Sequence, residues 1–483
     1  MNEINIKPAA IYLTRILLLL FLCISACEEE QEQENGPDPG SGNGEDTLDP
    51  GIPDDYSAIA GREHMARWGP YNLHDPTIIR HEDRYHIFST DVAYGPNGDC
   101  GIMHRRSEDL VQWRFMGWVF DGVPPIPLRF MEQHQSEYRQ ESIWAPFIYR
   151  HQGLYRLYYS VPGNDGLKLA CIGLATGESP YGPWTDEGIV ISCLPQDPYN
   201  AIDPAVVVDR ENGEHWLAYG SYSSGIHIVE LDPVTGKRKD ETDEGQLLAF
   251  RNRFHDAIEG AEFVYSDETG MYYLFVSYDW LEDDYNVRVG RSTRPEGPYL
   301  DIHGNELAAK GDNFPMITAQ YRFDNHPGWQ GVGHCGILKD EGNYYFVSQG
   351  RLGSNFYLMN LHLRRMVWSP SGWPMVSPER YAGIPQSEVT AGRIAGKWEH
   401  IALVSTSEKN VPVIFVLEEG GSIQSPPGGS WSYRDQVLKL SPGQGEAYEC
   451  RVFDEWDWEN GNPTLVYTGI SGSGVCIWGK QVP

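Results

Sequence analysis

One two-part unit recurs five times between residues 73 and 376. Each unit opens with a short β-branched strand, a polar turn and a strand rich in Tyr and Phe that ends near Ser, and a second pair of strands follows. The five opening hairpins cover residues 73–91, 143–161, 201–221, 259–279 and 333–350. Such turns between two strands are typical of a β-hairpin. Four strands repeated five times predict an all-β fold, a five-bladed β-propeller, because stacking sheets around an axis buries faces that one sheet cannot bury alone.

The repeat ends near residue 385, so we expect the propeller to cover 56–385. One or two β-sandwiches are the alternative for this region, but the recurrence of the whole two-part unit favours the propeller. Residues 386–483 are Gly-rich and strand-like. About a hundred residues can hold a separate small domain, and we expect a smaller C-terminal β-domain of sandwich or barrel type.

The N-terminus carries an export pattern. Lys7 and Arg15 precede a short apolar run that ends in Ile-Ser-Ala-Cys at 24–27. The run is shorter than the roughly 20 apolar residues that span a bilayer, and its order of charge and apolar residues predicts a signal segment over 1–26. The last four residues resemble the bacterial lipobox, which implies that Cys27 is lipidated. An ordinary signal peptide with a chance Cys is the alternative.

Residues 27–55 hold eleven Asp and Glu and neither Lys nor Arg. A segment so charged cannot bury an apolar core, so we expect an acidic disordered tether. Acids directly after a lipidated Cys resemble the surface-export signal of some bacterial lipoproteins. The resemblance implies a lipid-anchored outer-membrane protein at the cell surface, whereas a plain linker would leave the protein at the periplasmic face.

The composition narrows the possible partners. The formal net charge is −31, which argues against nucleic acid and anionic membrane surfaces, so we expect membrane contact through the lipid anchor only. A neutral polymer is compatible with this charge. The six Cys beyond residue 27 form neither a CxxC pair nor a zinc spacing, and the sequence does not pair them as disulfides.

Acidic residues begin three of the five repeats. Asp75, Asp203 and Glu259 precede the first strands of repeats one, three and four. The first strand of each blade lines the central channel, so we expect the three acids at equivalent positions facing the axis. Glycoside hydrolysis needs one carboxylic acid to protonate the departing oxygen and one carboxylate to activate water or attack carbon. A third acid nearby can raise the pKa of the proton donor.

The ordered motifs of the repeats resemble glycoside hydrolase family 43. They are HDP at 74–76, WAP at 144–146, AIDP at 201–204, IEG at 258–260 and GHCG at 333–336. Within the family they are most similar to the two-domain endo-α-1,5-arabinanases, over about residues 62–383, and the C-terminal segment is similar to the extra β-domain of that group. The resemblance implies inverting hydrolysis of internal α-1,5-arabinofuranosyl links in arabinan or a related arabinose-containing plant polysaccharide. It implies Asp75 as general base, Glu259 as general acid, and Asp203 as the group that tunes Glu259 and orients substrate.

The resemblance implies three further site residues. His334 matches a channel histidine that coordinates a central ion, usually Ca²⁺, otherwise ringed by water, although Ca²⁺ prefers oxygen ligands and a lone His is usually a structural hydrogen-bonding residue. Trp144 matches an aromatic floor of the sugar site, and a core Trp between blades is the alternative. Ser221 matches a polar substrate contact, or it merely ends its strand. Cys335 and residues 261–262 differ from the residues usual in the family at the floor of the site.

Two other functions stay open. One is an exo-acting α-L-arabinofuranosidase or β-xylosidase on the same propeller, because loop lengths decide whether the cleft is open or a pocket. The other is a non-catalytic surface glycan-binding lipoprotein. A binding protein has no need of a full acid–base set, so the three acids favour an enzyme.

Overall fold

The computed structural model describes residues 49–92, 101–139, 142–164, 168–251, 257–309, 311–323, 325–425 and 428–483. Cys27, the signal segment and most of the tether lie outside these residues. Within them, the Asp54 carboxylate binds Arg380 at 2.5 Å and His326 at 3.1 Å. Asp54 is therefore part of the folded body, and the tether predicted to run to residue 55 ends earlier than expected.

The first four repeats each form one antiparallel four-stranded sheet with its strands in chain order. Blade 1 contains β1 (Leu73–His81), β2 (Arg84–Asp91), β3 (Ile102–Ser107) and β4 (Trp113–Trp118). Blade 2 contains β5 (Trp144–His151), β6 (Leu154–Pro162), β7 (Ala170–Gly177) and β8 (Thr185–Cys193). Blade 3 contains β9 (Ala205–Val208), β10 (His215–Tyr219), β11 (Ile226–Leu231) and β12 (Gln246–Ala249). Blade 4 contains β13 (Ile258–Ser266), β14 (Met271–Tyr278), β15 (Asn286–Ser292) and β16 (Met316–Thr318).

Blade 5 has a divided inner edge. It contains β17 (Trp329–Gln330), β18 (Gly336–Asp340), β19 (Asn343–Leu352), β20 (Asn355–Trp368) and β21 (Pro374–Val376), and both β17 and β18 pair with β19. The N-terminal segment closes the ring against this blade, because the Tyr56 hydroxyl donates to Asn72 at 2.9 Å and accepts the Met359 N–H at 2.8 Å. The five sheets confirm the predicted five-bladed propeller.

The C-terminal domain is one curled antiparallel sheet rather than two stacked sheets. Its strand order is β23-β22-β28-β27-β26-β25-β24. The strands are β22 (Gly396–Ala402), β23 (Val413–Leu417), β24 (Gly429–Arg434), β25 (Val437–Pro442), β26 (Tyr448–Asp457), β27 (Asn462–Ser471) and β28 (Cys476–Val482). Single bridges join residues 417 to 423 and 422 to 430, which brings the two edge strands together. The predicted domain boundary at 385 falls in the connection between β21 and β22.

Helices are few in the described part of the chain. They are the 3₁₀ segments Ser57–Ile59 and Arg62–Arg67, α1 (Pro125–His134) and α2 (Ala391–Ile394). None of the described helices has the length and apolar character needed to cross a membrane.

Two kinds of contact join the C-terminal domain to the propeller. Trp478 and Ile401 of the domain share an apolar cluster with Trp373 of blade 5. Nearby, the buried Lys480 ammonium binds Glu379, which follows the last propeller strand, at 3.1 Å. The same ammonium binds carboxylates of its own domain at 2.9 and 2.5 Å, those of Asp457 and Glu459.

Candidate active site

A β-bulge opens the first strand of a blade at the mouth of the channel. In β1 the pairing passes from His74–Thr90 directly to Thr77–Phe88, which leaves two residues unpaired. β5 and β13 show the same shift. The first bulged residue adopts a left-handed backbone at Asp75 (φ 49°), and the corresponding Asp203 (φ 58°) and His334 (φ 49°) do so in blades 3 and 5. Such strained conformations in residues other than Gly are typical of functional sites.

Glu259 is offset by one residue from the other two acids. It pairs with Ser277 as His74 pairs with Thr90, so Gly260 (φ 60°) stands where Asp75 stands in blade 1. A Cβ on residue 260 would lie 2.9 Å from the His334 ring. No acid fits at this position, and the carboxyl of blade 4 comes from the preceding residue. The predicted equivalence of the three acids is therefore wrong for Glu259.

Hydrogen bonds between blades fix these channel residues. At four of the five junctions, a polar side chain near the end of one blade's second strand accepts the N–H of the next blade's channel residue. These pairs are Thr90 with Ala145 (2.7 Å), Ser160 with Asp203 (3.0 Å), Ser277 with His334 (2.8 Å) and Gln349 with Asp75 (3.2 Å). At the remaining junction the Gly260 N–H donates to the Asp203 carboxylate itself at 3.2 Å. Ser160 and Ser277 belong to the Ser residues that recur near the ends of the hairpins in the sequence, whereas Thr90 and Gln349 were not singled out there.

Asp75 is a buried carboxylate with three donors. Oδ1 accepts from Nδ1 of His74 at 2.7 Å and from Nδ1 of His334 at 3.0 Å. Oδ2 accepts from the Thr90 hydroxyl at 2.7 Å. Burial opposes ionisation, but the two histidines outweigh it and hold the pKa of Asp75 well below its ordinary value. Asp75 is therefore ionised near neutral pH, the state that a general base needs.

Arg351 orients His74 from the far side. Its Nη2 lies 3.0 Å from Nε2 of His74, and a guanidinium only donates, so this nitrogen accepts. The ring proton therefore sits on Nδ1 and points at Asp75. Arg351 is 277 residues away in sequence, and we did not predict it.

Glu259 is held by two hydroxyl groups. Ser221 donates to Oε2 at 2.7 Å and Tyr285 donates to Oε1 at 2.9 Å. Gly333 gives the Tyr285 ring its space, because a Cβ there would overlap the ring. Burial raises the pKa of Glu259, although both hydroxyls act in the opposite sense. The structure thus places Ser221 against the acid, while Tyr285 was missed in the sequence.

Asp203 lies close enough to Glu259 and Asp75 for their negative charges to raise its pKa. Burial first, and then repulsion from Glu259 and Asp75, raise the pKa of Asp203 to about 8. Two raised carboxyls side by side titrate as a pair. Asp203 and Glu259 therefore retain a proton between them near neutral pH, while Asp75 has none.

His334 lies between the acids at the axis. Burial lowers its pKa, but Asp75 and the other two acids outweigh burial and raise it to about 9. Nδ1 is bound to Asp75, so Nε2 is the ring nitrogen left for a ligand, and it must lose its proton before it can bind a cation. One imidazole nitrogen with three acids around it fits a largely hydrated cation better than a metal cage built from protein groups.

Two features remain to be placed: the predicted site residue Trp144, and an acidic group away from the channel. Trp144 pairs with Ser160 and so occupies the channel position that Glu259 holds in blade 4, and its half-buried ring also packs against the core between blades. Among the described residues, the one group of three or more His, Cys, Asp or Glu side chains whose ligand atoms all lie within 4.8 Å of one another is Glu379, Asp457 and Glu459. The Lys480 ammonium already binds all three of these carboxyl groups.

Comparison with known proteins agrees with this geometry. Residues 69–374 match the model of glycosyl hydrolases family 43, and residues 378–479 match a C-terminal lipocalin-like domain. The extracellular endo-α-(1→5)-L-arabinanase 2 of Bacillus subtilis is 27% identical over 450 residues, which cover 85% of this chain and 93% of that protein. The extracellular exo-α-(1→5)-L-arabinofuranosidase ArbA of Cellvibrio japonicus is 32% identical over 323 residues, 63% of this chain and 86% of that protein.

A solved structure extends the likeness over both domains. The endo-1,5-α-L-arabinanase of Thermotoga petrophila superposes with a TM-score of 0.75 at 26% identity, covering 86% of this chain and 99% of that one. The family match spans more than half of the sequence and includes all three acids and His334. The chain therefore belongs to glycosyl hydrolase family 43.

Proposed function

We propose that this protein hydrolyses internal α-1,5-arabinofuranosyl links of arabinan with inversion of configuration. The supporting observation is that carboxyl groups in one channel have their pKa values shifted in opposite directions. The pKa of Asp75 is held low by two histidines, whereas burial raises the pKa values of Glu259 and Asp203. A glycosidase needs one carboxyl group with a low pKa as base and one with a raised pKa as acid, so these opposite shifts support Asp75 as base and Glu259 as acid.

The reaction follows from these two states. Glu259, oriented by Ser221 and Tyr285, gives its proton to the glycosidic oxygen as the bond from that oxygen to the anomeric carbon breaks. Asp75 takes one proton from a water while the water oxygen bonds to the anomeric carbon from the opposite face. Asp203 and Glu259 share a proton, so a proton is available on Glu259 for the departing oxygen.

The anomeric configuration of the first product tests this mechanism. NMR during hydrolysis of linear arabinan should show inversion, and retention would contradict Asp75 as base. Glu259→Ala should lose most activity on arabinan but keep more on a substrate with an activated leaving group, which needs less protonation. Asp75→Ala should lose activity on both substrates, because the water still needs its base.

Endo action is favoured by the extent of the likeness. The endo-acting relative of B. subtilis aligns over 85% of this chain, including the C-terminal domain, whereas the exo-acting relative of C. japonicus aligns over 63%. Product sizing decides between them. Mixed oligomers indicate endo action, arabinose alone indicates exo action, and no product on any arabinose polymer would favour a glycan-binding role.

We also propose a hydrated Ca²⁺ in the channel, held by Nε2 of His334 and by water. When bound, the ion would add positive charge beside the three acids. His334→Ala should abolish calcium binding measured by calorimetry while the circular dichroism spectrum is retained. Equal binding by the variant would leave His334 a structural partner of Asp75.

We further propose that Cys27 carries a lipid that anchors the protein to the outer membrane. The Ile-Ser-Ala-Cys sequence at 24–27 supports this, and the acids that follow it support display at the cell surface. Palmitate labelling in the native host should be lost in Cys27→Ala. Protease added to intact cells should digest a surface protein and spare one that faces the periplasm.

A further inference from the structure

Three exposed aromatic side chains lie on the face of the propeller that holds the acids. Trp280 is 53% exposed in the connection between β14 and β15, and Phe356 and Tyr357, at 37% and 38%, begin β20. β14 and β19 run antiparallel to β13 and β18, so they end beside the channel positions of Glu259 and His334. The connections that follow them therefore border the mouth of the channel.

Arg351 joins the two aromatic connections to the base. Its Nε donates to the Leu281 carbonyl at 3.1 Å and its Nη1 to the Phe356 carbonyl at 3.1 Å. Its Nη2 donates to His74, the partner of Asp75. One buried guanidinium thus fixes both connections relative to the reacting groups.

The aromatic side chains stand on fixed backbone. The Trp280 N–H donates to Asp284 at 2.9 Å, and the Trp280 carbonyl accepts from the N–H groups of Asp283 and Tyr285 at 3.0 and 3.1 Å. Tyr285 is the last residue of this turn and its hydroxyl donates to Glu259, so the turn links the exposed Trp280 side chain to the proposed catalytic acid. A side chain that is exposed on rigid backbone can bind a ligand without a large ordering cost.

The second connection presents a paired surface. The Phe356 and Tyr357 rings lie 4.2 Å apart between centroids, with 32° between their planes. The aromatic rings offer wide apolar faces that suit the apolar faces of sugar rings, and exposed apolar groups beside a cleft mark binding surfaces.

We propose that Trp280 and the Phe356–Tyr357 pair form an aromatic rim that binds the polysaccharide chain beyond the bond being cleaved. The identity of that chain as arabinan rests on the proposed function. The turn that carries Trp280 also holds Glu282, Asp283 and Asp284, so an anionic polymer would be repelled and a polymer without charge is favoured. A short oligosaccharide fills only the channel, so the rim contributes to binding of long chains alone.

The test compares long and short substrates. We expect Trp280→Ala, and separately Phe356→Ala with Tyr357→Ala, to lower kcat/KM on linear arabinan about tenfold through KM. The value on arabinotriose should stay within about twofold. Tyr181→Ala is the matched control, because Tyr181 is 44% exposed but packs on His86, at 5.0 Å between ring centroids, on the opposite face. This control should leave both substrates unaffected.

The outcomes distinguish failure of the proposed aromatic rim from failure of the proposed function. The rim proposal is overturned if the ratio of polymer to trimer activity is unchanged in both rim variants, whether both activities are retained or both fall equally. If the wild type cleaves neither substrate, the proposed function fails. Affinity electrophoresis in a panel of neutral polysaccharides then decides the rim, since equal retardation of wild type and Trp280→Ala in every polymer overturns it.

Discussion

Replacement of Tyr285 by Phe removes one hydrogen bond to Glu259, the proposed proton donor. The Tyr285 hydroxyl donates to Oε1 of Glu259 at 2.9 Å, which stabilises the ionised carboxyl and opposes the rise in its pKa. A hydrogen bond to a charged group contributes about 1.5–3 kcal/mol, and one pKa unit corresponds to about 1.4 kcal/mol. Removing it should raise the pKa of Glu259 by about 1–2 units.

The pH profile of kcat/KM on linear arabinan measures this shift. The alkaline limb reports the loss of the proton from the acid, so it should move to higher pH by about 1–2 units in Tyr285→Phe. Tyr278→Phe is the control, because the Tyr278 hydroxyl donates to Asn313 at 2.9 Å and not to the acidic pair. An alkaline limb that stays in place, or moves to lower pH, would refute the assignment of Glu259 as the proton donor.

Three further predictions concern the base, the domain contact and the blade interfaces. Thr90→Val should lower kcat about tenfold with little change in KM, because Asp75 loses a 2.7 Å donor. Thr77→Val, in the strand that carries Asp75, should not lower kcat, and steady-state kinetics check both variants. Lys480→Met should reduce the free energy of unfolding in urea by about 3–5 kcal/mol, while Glu379→Gln should be nearly neutral, since burial and Glu459 raise the pKa of Glu379 and keep it protonated. Burial lowers the pKa values of His86 and His104 to about 4 and 3. Both side chains stay neutral in the folded protein but become protonated below about pH 6.5 in the unfolded chain, so the free energy of unfolding should fall as the pH is lowered from 6.5 to 4. Urea titrations should show this fall, and it should be less steep in His104→Gln.

The sequence predicted those features that repeat. The strand pattern recurs with every blade, so the number of blades and the start of each inner strand could be read without tertiary contacts. The acids stand at those starts, and the structure brings Asp75, Asp203, Glu259 and His334 together. Ser221 also lies at the site, in contact with the acid.

Other features depend on contacts between residues that are far apart in the sequence, which no local pattern encodes. Arg351 reaches His74 from the last blade, and Tyr285 reaches Glu259 across its own sheet. The offset of Glu259 depends on the space around His334, which admits only a Gly at residue 260. The composition of 49–55 predicted a tether, but the ion pairs of Asp54 with Arg380 and His326 outweigh that local preference.

With Asp75 as the proposed base, the donors around it indicate where the attacking water would bind. A carboxylate offers about four acceptor sites, two on each oxygen. His74 and His334 fill both sites of Oδ1, and Thr90 fills one of Oδ2. The remaining site is on Oδ2, so the water must donate there to lose its proton. The Thr90 hydroxyl then fixes which lone pair of Oδ2 the water uses, and its other contact, the Ala145 N–H of the next blade, ties that direction to the ring of the propeller.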